Sequence, residues 1–164
     1  MRVVVLSDTH LTATSKRRLP ADALAQLADA DLILHAGDVT DSSLLRELEV
    51  YAPVMAVLGN NDAGIDLPTT RELDADGVRI AMVHDSGARA GRERRMRKRF
   101  PDADVVVFGH SHIPWNAPGE GGQLLFNPGS PTQRRRQPFP TLGVLECASG
   151  RVMQHEIVTL PLPS

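Results

Sequence analysis

Short apolar runs without polar alternation recur along this 164-residue chain, the pattern of parallel strands covered on both faces. Residues 2–6, 31–36, 53–58 and 104–108 are of this kind. Pro20 opens a segment over 21–30 that places Leu24, Leu27 and Ala28 on one helical face, and Ser42 is positioned to cap a second helix over 43–50. The first sixty residues therefore read β-α-β-α-β. The pattern then changes, because 71–74 and 78–83 flank Asp76-Gly77, the strongest short hairpin signal. A basic helix is expected over 89–99. Runs at 123–126, 141–147 and 151–158 read as an antiparallel finish, turned by Ser149-Gly150. Parallel units followed by antiparallel strands predict two sheets packed face to face with helices outside, an α/β architecture. One domain over 1–160 and a frayed tail at 161–164 complete this reading.

Several of these runs end in a short polar cluster. The clusters are Ser7-Asp8-Thr9-His10, Gly37-Asp38, Gly59-Asn60-Asn61-Asp62 and Gly109-His110-Ser111-His112, and a further run delivers His84. Side chains that bind divalent metals thus collect where the chain leaves a buried sheet, and four of the six histidines are among them. Asp8 and His10, two apart, can reach one cation. Asp38 is placed to bridge, Asn60 offers an amide oxygen, and His84, His110 and His112 complete a two-metal set. Two aspartates and a bridging hydroxide leave surplus positive charge on two divalent ions, which attracts a phosphate ester. The mixture of carboxylate, amide and imidazole suits Mn²⁺ first, with Ni²⁺, Fe²⁺ or Zn²⁺ as alternatives. Each block alone is weak evidence. Five blocks in order, all at expected strand ends, carry the argument.

Composition adds mainly exclusions. A net charge of −2, 41% hydrophobic and 23% charged residues describe an ordinary soluble chain with no global field for nucleic acid or anionic lipid. The apolar opening stops at Asp8, well short of a secretory leader or of the roughly 20 residues that span a bilayer. Cys147 is the single cysteine, so no internal disulfide forms and a reducing, cytoplasmic setting is expected. The expected partner is a small-molecule phosphate ester, with neither nucleic acid nor membrane; assembly into a homo-oligomer is left open.

Asp8-x-His10, Gly37-Asp38, Gly59-Asn60-x-Asp62, His84 and Gly109-His110-x-His112 together resemble the signature of the calcineurin-like metallophosphoesterases. The short length and the Asn127-Pro128-Gly129-Ser130 loop are similar to the small bacterial YfcE-like phosphodiesterase branch. The resemblance implies a four-layer α/β/β/α sandwich of two mixed sheets flanked by helices. It also implies hydrolysis of phosphate diesters by a metal-bridging hydroxide at a dinuclear centre. By motif position it assigns Asp8, His10, Asp38 and His112 to one ion, and Asp38, Asn60, His84 and His110 to the other. Two positions depart from the wider pattern. Asn61 stands where many relatives carry a histidine, and is expected either to position the phosphate or to satisfy a tight turn. Asp85 stands where relatives commonly have glycine.

Asp62, Asp85, Arg134 and Arg135 are candidates for bracing the ligands or touching substrate, Arg134-Arg135-Arg136 because a guanidinium there could clamp a second phosphate. The basic run from Arg89 to Arg99 reads as a solvated helix face. Trp115 and His35 read as packing residues, and Asp41 as a brace or a helix cap. Alternatives to the diesterase are a phosphomonoesterase or nuclease on the same site, or a metal-binding scaffold resembling the eukaryotic retromer subunit.

Overall fold

The computed structural model describes residues 1–162, so Pro163 and Ser164 of the expected tail lie outside the described residues. The first half is β1 (Arg2–Leu6), α1 (Ala21–Ala28), β2 (Leu32–His35), α2 (Ser42–Leu48) and β3 (Val54–Ala56). The three strands run parallel, with Val4 beside Ile33 and Ile33 beside Val54. The absence of alternation in β1 and β2 has a direct cause. Val3, Val5, Leu32 and Leu34 face a second sheet, while Val4, Leu6 and Ile33 face α1 and α2 through Leu27, Leu44 and Leu48. α2 begins one residue earlier than its apolar pattern suggests, because Asp41 rather than Ser42 caps it: the Asp41 carboxylate accepts from Ser43 N at 2.9 Å.

The second sheet opens with the expected hairpin, β4 (Thr70–Ala75) and β5 (Val78–Val83), closed by Asp76 and Gly77 at φ 54 and 83. α3 (Arg92–Arg99) leads to β6 (Val105–Val107), parallel to β5. Next come β7 (Trp115–Pro118) and β8 (Leu124–Asn127), giving the order β4-β5-β6-β8-β7. β7 has no counterpart in the sequence reading, since Pro114 and Pro118 argue against a strand. It is an edge strand, where proline is tolerated. The antiparallel finish also divides. β8 stays in the second sheet, parallel to β6, whereas β9 (Thr141–Ala148) and β10 (Arg151–Thr159) cross to the first, in the order β10-β9-β1-β2-β3. Periodicity identifies a strand but not its neighbour.

Four layers result: α1 and α2, the first sheet, the second sheet, and α3. Val83, Val106 and Phe108 pack against Met96 of α3 and Phe100 just beyond its end, and the inter-sheet core joins Val5 and Leu34 to Met82, Val107 and Phe126. Each such fully buried side chain contributes roughly 1.5–3 kcal/mol. The C-terminal ends of β1, β2, β3, β5 and β6 lead directly into Asp8, Asp38, Asn60, His84 and His110.

Candidate metal centre

The strand-end loops are tied to one another through their backbones. Asp8 N donates to Gly37 O at 2.9 Å, His10 N to Asp38 O at 3.1 Å, and Gly109 N to His84 O at 2.9 Å. Asp8, His10, Asp38, His110 and His112 all adopt left-handed backbone, with φ between 46 and 69. Such conformations are disfavoured for non-glycine residues and cluster at functional sites. Two glycines permit the loops to close. A Cβ at Gly59 would fall on the backbone and carboxylate of Asp38, and one at Gly109 on the Ser7 hydroxyl.

Two groups of ligand-type atoms form, each within a 4.8 Å span: Asp8 with His10 and His112, and Asp8 with Asp38 and His84. In the first, His112 Nδ1 donates to Gln133 O at 2.6 Å, which leaves Nε2 as a lone pair. That atom lies 3.3 Å from His10 Nε2 and 3.5 Å from Asp8 Oδ1. Asp8 Oδ2 accepts from Ser7 Oγ and His110 N, but Oδ1 is buried without a hydrogen-bond partner. In the second group, His84 Nδ1 donates to Ala36 O at 2.7 Å, so its Nε2 lone pair meets Asn60 Oδ1 at 3.0 Å and Asp38 Oδ1 at 3.5 Å. Asn60 Oδ1 also lies 2.9 Å from His110 Nδ1. Lone pairs facing oxygens, beside an orphaned carboxylate oxygen, need a cation between them. The donor set fits the group that the sequence implies.

The titration of these groups reflects the same geometry. Burial pushes the Asp8 carboxyl up to about 6, against the help of Ser7. Burial would also raise Asp38, but the adjoining His84 and hydrogen bonds from Asn61 outweigh it and hold that carboxyl below its ordinary range. Burial disfavours charge on His84 too, yet Asp38 and the Ala36 carbonyl raise its pKa overall. His112 is pushed down to about 4, chiefly by burial, and His10 is lowered for the same reason.

The remaining candidates separate. Asp62 gathers three backbone N–H groups, those of Asp38, Gly59 and Thr40 at 2.7–2.9 Å, and so fixes two ligand loops together. Asn61, expected over the phosphate or as a turn residue, donates its amide to Asp38 Oδ2 at 2.7 Å, beside the ligand loops. Asp85 is exposed and accepts from Gly87 N at 2.7 Å, closing a turn rather than orienting His84. Arg134 bonds Gln137 O, while Arg135 makes no hydrogen bond or ion pair among the described residues, and its charge lowers the pKa of both His10 and His112. His35 is fully buried and neutral, held between Thr9 Oγ1 and Gly37 N. The α3 arginines are not simply a solvated face. Arg92 is buried with its guanidinium 4.9 Å from the Phe108 ring and 5.2 Å from Trp115, and Arg95 binds the carbonyls of Ser86 and Ala88.

Sequence reasoning missed the braces from the 127–133 loop. Ser130 Oγ donates to Asp8 O, Thr132 Oγ1 to Thr9 O, and Asn127 Nδ2 to Gly109 O. The Asn-Pro-Gly-Ser motif marked the loop. Its partners lie more than a hundred residues away for Asp8 and Thr9, and no spacing rule reports them.

The model of the calcineurin-like phosphoesterase superfamily domain matches residues 1–150. The chain is 35% identical over 167 residues to a probable metallophosphoesterase of Methanothermobacter thermautotrophicus, covering 99% of this chain and 95% of that one. Wild-type Vps29 of Entamoeba histolytica, solved in complex with Zn²⁺, gives a TM-score of 0.76 at 23% identity, over 97% of this chain and 99% of that one. The structure of a novel archaeal phosphodiesterase gives 0.71 at 20% identity, over 98% and 100%. These two likenesses establish the fold.

Proposed function

Since the chain belongs to the calcineurin-like phosphoesterase superfamily, we propose that it is a cytoplasmic phosphodiesterase that uses two divalent cations, Mn²⁺ foremost, on small-molecule diesters. The observation that carries the reading is the partnerless, buried Asp8 Oδ1 facing the His112 Nε2 lone pair. Asp8, His10 and His112 would hold one ion, Asn60, His84 and His110 the other, and Asp38 both. Once bound, such a pair lowers the pKa of water from 15.7 towards about 7 and neutralises phosphate charge.

The protein's own residues supply orientation. The Ala36 and Gln133 carbonyls fix the tautomers of His84 and His112, so that each presents Nε2 to the centre. Asp62 keeps the Asp38 and Asn60 loops in register. Asn61 steers the Asp38 carboxylate and cannot give up a proton. The leaving group must therefore depart as an anion, which favours activated esters over alkyl ones.

The test pairs metal analysis with turnover of bis(p-nitrophenyl) phosphate by the full chain. Activity should require added Mn²⁺, and Asp38→Ala should lose both ions and activity together. Two retained ions and near-normal rates in the variant would sink the assignment. A scaffold role, suggested by the likeness to Vps29, predicts metal uptake without turnover of any diester.

A further inference from the structure

His35 ends β2 with both ring nitrogens buried and both engaged. The direction of each bond follows from its donor. Gly37 N–H donates to His35 Nδ1 at 3.3 Å, so Nδ1 carries a lone pair and the proton of the neutral ring sits on Nε2. Nε2 therefore donates to Thr9 Oγ1 at 3.0 Å, and the Thr9 hydroxyl donates in turn to Asp38 O at 3.4 Å. One chain of hydrogen bonds thus runs from the backbone before Asp38, through the imidazole and the Thr9 hydroxyl, to the backbone of Asp38 itself. Gly37, His35, Thr9 and Asp38 are all buried.

The two loops joined in this way carry most of the candidate ligands. Thr9 lies between Asp8 and His10, whose φ angles are 54 and 46, and Asp38, at 57, follows Gly37 at 95. With left-handed backbone on both sides, Thr9 has no regular strand pairing to hold it. It is gripped by side chains instead, at its hydroxyl by His35 and at its carbonyl by Thr132 Oγ1, 2.6 Å away. The opposing segment reaches further. Ala36 O receives His84 Nδ1, Gly37 O receives Asp8 N, and Asp38 O receives His10 N. A Cβ on Gly37 would stand 2.6 Å from His84 Nδ1, so no slack separates this segment from His84. A shift of residues 36–38 is therefore carried to Asp8, His10, Asp38 and His84 together.

We propose that His35 is a positioning residue: by fixing Thr9 against residues 36–38 it sets the span across the two groups of ligand-type atoms, and with it metal affinity and turnover. The inference rests on the two-metal phosphodiesterase reading for what that span must hold. Leucine would fill the same space between the neighbouring strands. What the ring adds is an acceptor for Gly37 and a donor for Thr9, held at a fixed separation on a rigid plane. Groups that orient metal ligands from behind are typically worth about 10–100-fold in metal affinity or activity.

The test compares His35→Leu, His35→Gln and His35→Asn with Thr9→Val and Thr9→Ser in the full chain. Glutamine carries an amide N–H out to about the reach of Nε2, whereas asparagine offers an acceptor near the place of Nδ1 and stops short of Thr9. Mn²⁺ affinity is read by calorimetry on metal-free protein, and kcat and KM on bis(p-nitrophenyl) phosphate. His35→Leu and Thr9→Val should each weaken Mn²⁺ binding by about 10–100-fold and lower kcat more than they raise KM. The double variant should be little worse than either alone, since both remove the same bond. His35→Gln and Thr9→Ser should recover most of the loss, and His35→Asn should not. Thermal melts give the control, because a residue that only supports the fold lowers the melting temperature without changing the affinity of the folded chain. Folded His35→Leu with native Mn²⁺ affinity and kcat, or glutamine no better than asparagine, overturns the proposal. Where His35→Leu fails to fold, the Thr9→Val and Thr9→Ser pair decides, with the ring left in place. A native chain that binds Mn²⁺ and cleaves no diester overturns the phosphodiesterase reading instead, and His35 is then judged by metal affinity alone.

Discussion

Both oxygens of Asp38 accept a hydrogen bond from the same residue, Asn61, one from its backbone and one from its amide. In the proposed two-metal centre Asp38 would serve both cations, and this double grip limits its rotation. Asn61→Ala should remove one bond to a charged group, worth on the order of 1.5–3 kcal/mol. The expected result is metal affinity weaker by about ten- to a hundredfold, read by titration calorimetry; unchanged affinity would reduce Asn61 to a turn residue. Asn61→His should supply a proton donor and raise rates most for poor leaving groups, by up to about 10²–10⁴-fold where a proton is needed. A uniform effect across an aryl ester series would count against that role. Gly59 tests the same grip from the opposite side. The Cβ of Gly59→Ala would collide with the Asp38 backbone and carboxylate, and overpacking of this kind costs about 1–3 kcal/mol. The variant should melt lower and lose metal, whereas full metal occupancy would show that the loop yields.

At the scale of elements, what could be read from the sequence depended on whether the signal was local. The Asp76-Gly77 hairpin and the polar ends of the parallel strands were legible, because turn chemistry and burial act on neighbours in the chain. β7 was not, since its bracketing prolines describe a loop until an edge position makes them harmless. The partner of β8 was not either, because strand pairing is decided by distant crossovers. The α3 arginines were misread for a different reason. Hydropathy counts their charge and ignores their stems, yet Arg92 is buried with its guanidinium on two aromatic rings, Phe108 and Trp115. Arg92→Ala should therefore destabilise by about 2 kcal/mol through lost stacking and packing, while Arg94→Ala, at an exposed position of the same helix, should stay within about 0.5 kcal/mol. Urea melts of the two variants decide it; equal midpoints would restore the picture of a solvated face.

For the molecule as a whole, function requires several titratable groups to be buried around one point, and stability must then depend on pH. His35 and His112 are pushed down to about 3 and about 4, chiefly by burial, from an ordinary value of 6.5. Their folded values are depressed, so the unfolded chain takes up protons first as the medium acidifies. The stability they contribute is complete above pH 6.5 and is lost as pH falls towards 4. His10 acts in the same direction. Asp8 opposes them: its folded value, about 6, lies above the ordinary 3.8, so its contribution is full below 3.8 and is lost as pH rises through 6. His84, raised instead, adds stability that is complete below 6.5 and constant through the same interval. Three losses against one gain give a net fall between pH 6.5 and 4, with His35 alone worth about 2 kcal/mol at pH 5. Metal-free protein should accordingly melt lower at pH 5 than at pH 7. His35 belongs to neither group of ligand-type atoms, so His35→Gln should flatten that dependence whether or not Mn²⁺ is present, even if it lowers the melting temperature throughout. With Mn²⁺ bound the native profile should steepen, because acid must also displace the ion from His10 and His112. A profile that stays flat from pH 7 to 4.5 without metal would mean that these histidines are hydrated and not buried, and the closed architecture of the centre would have to be abandoned with them.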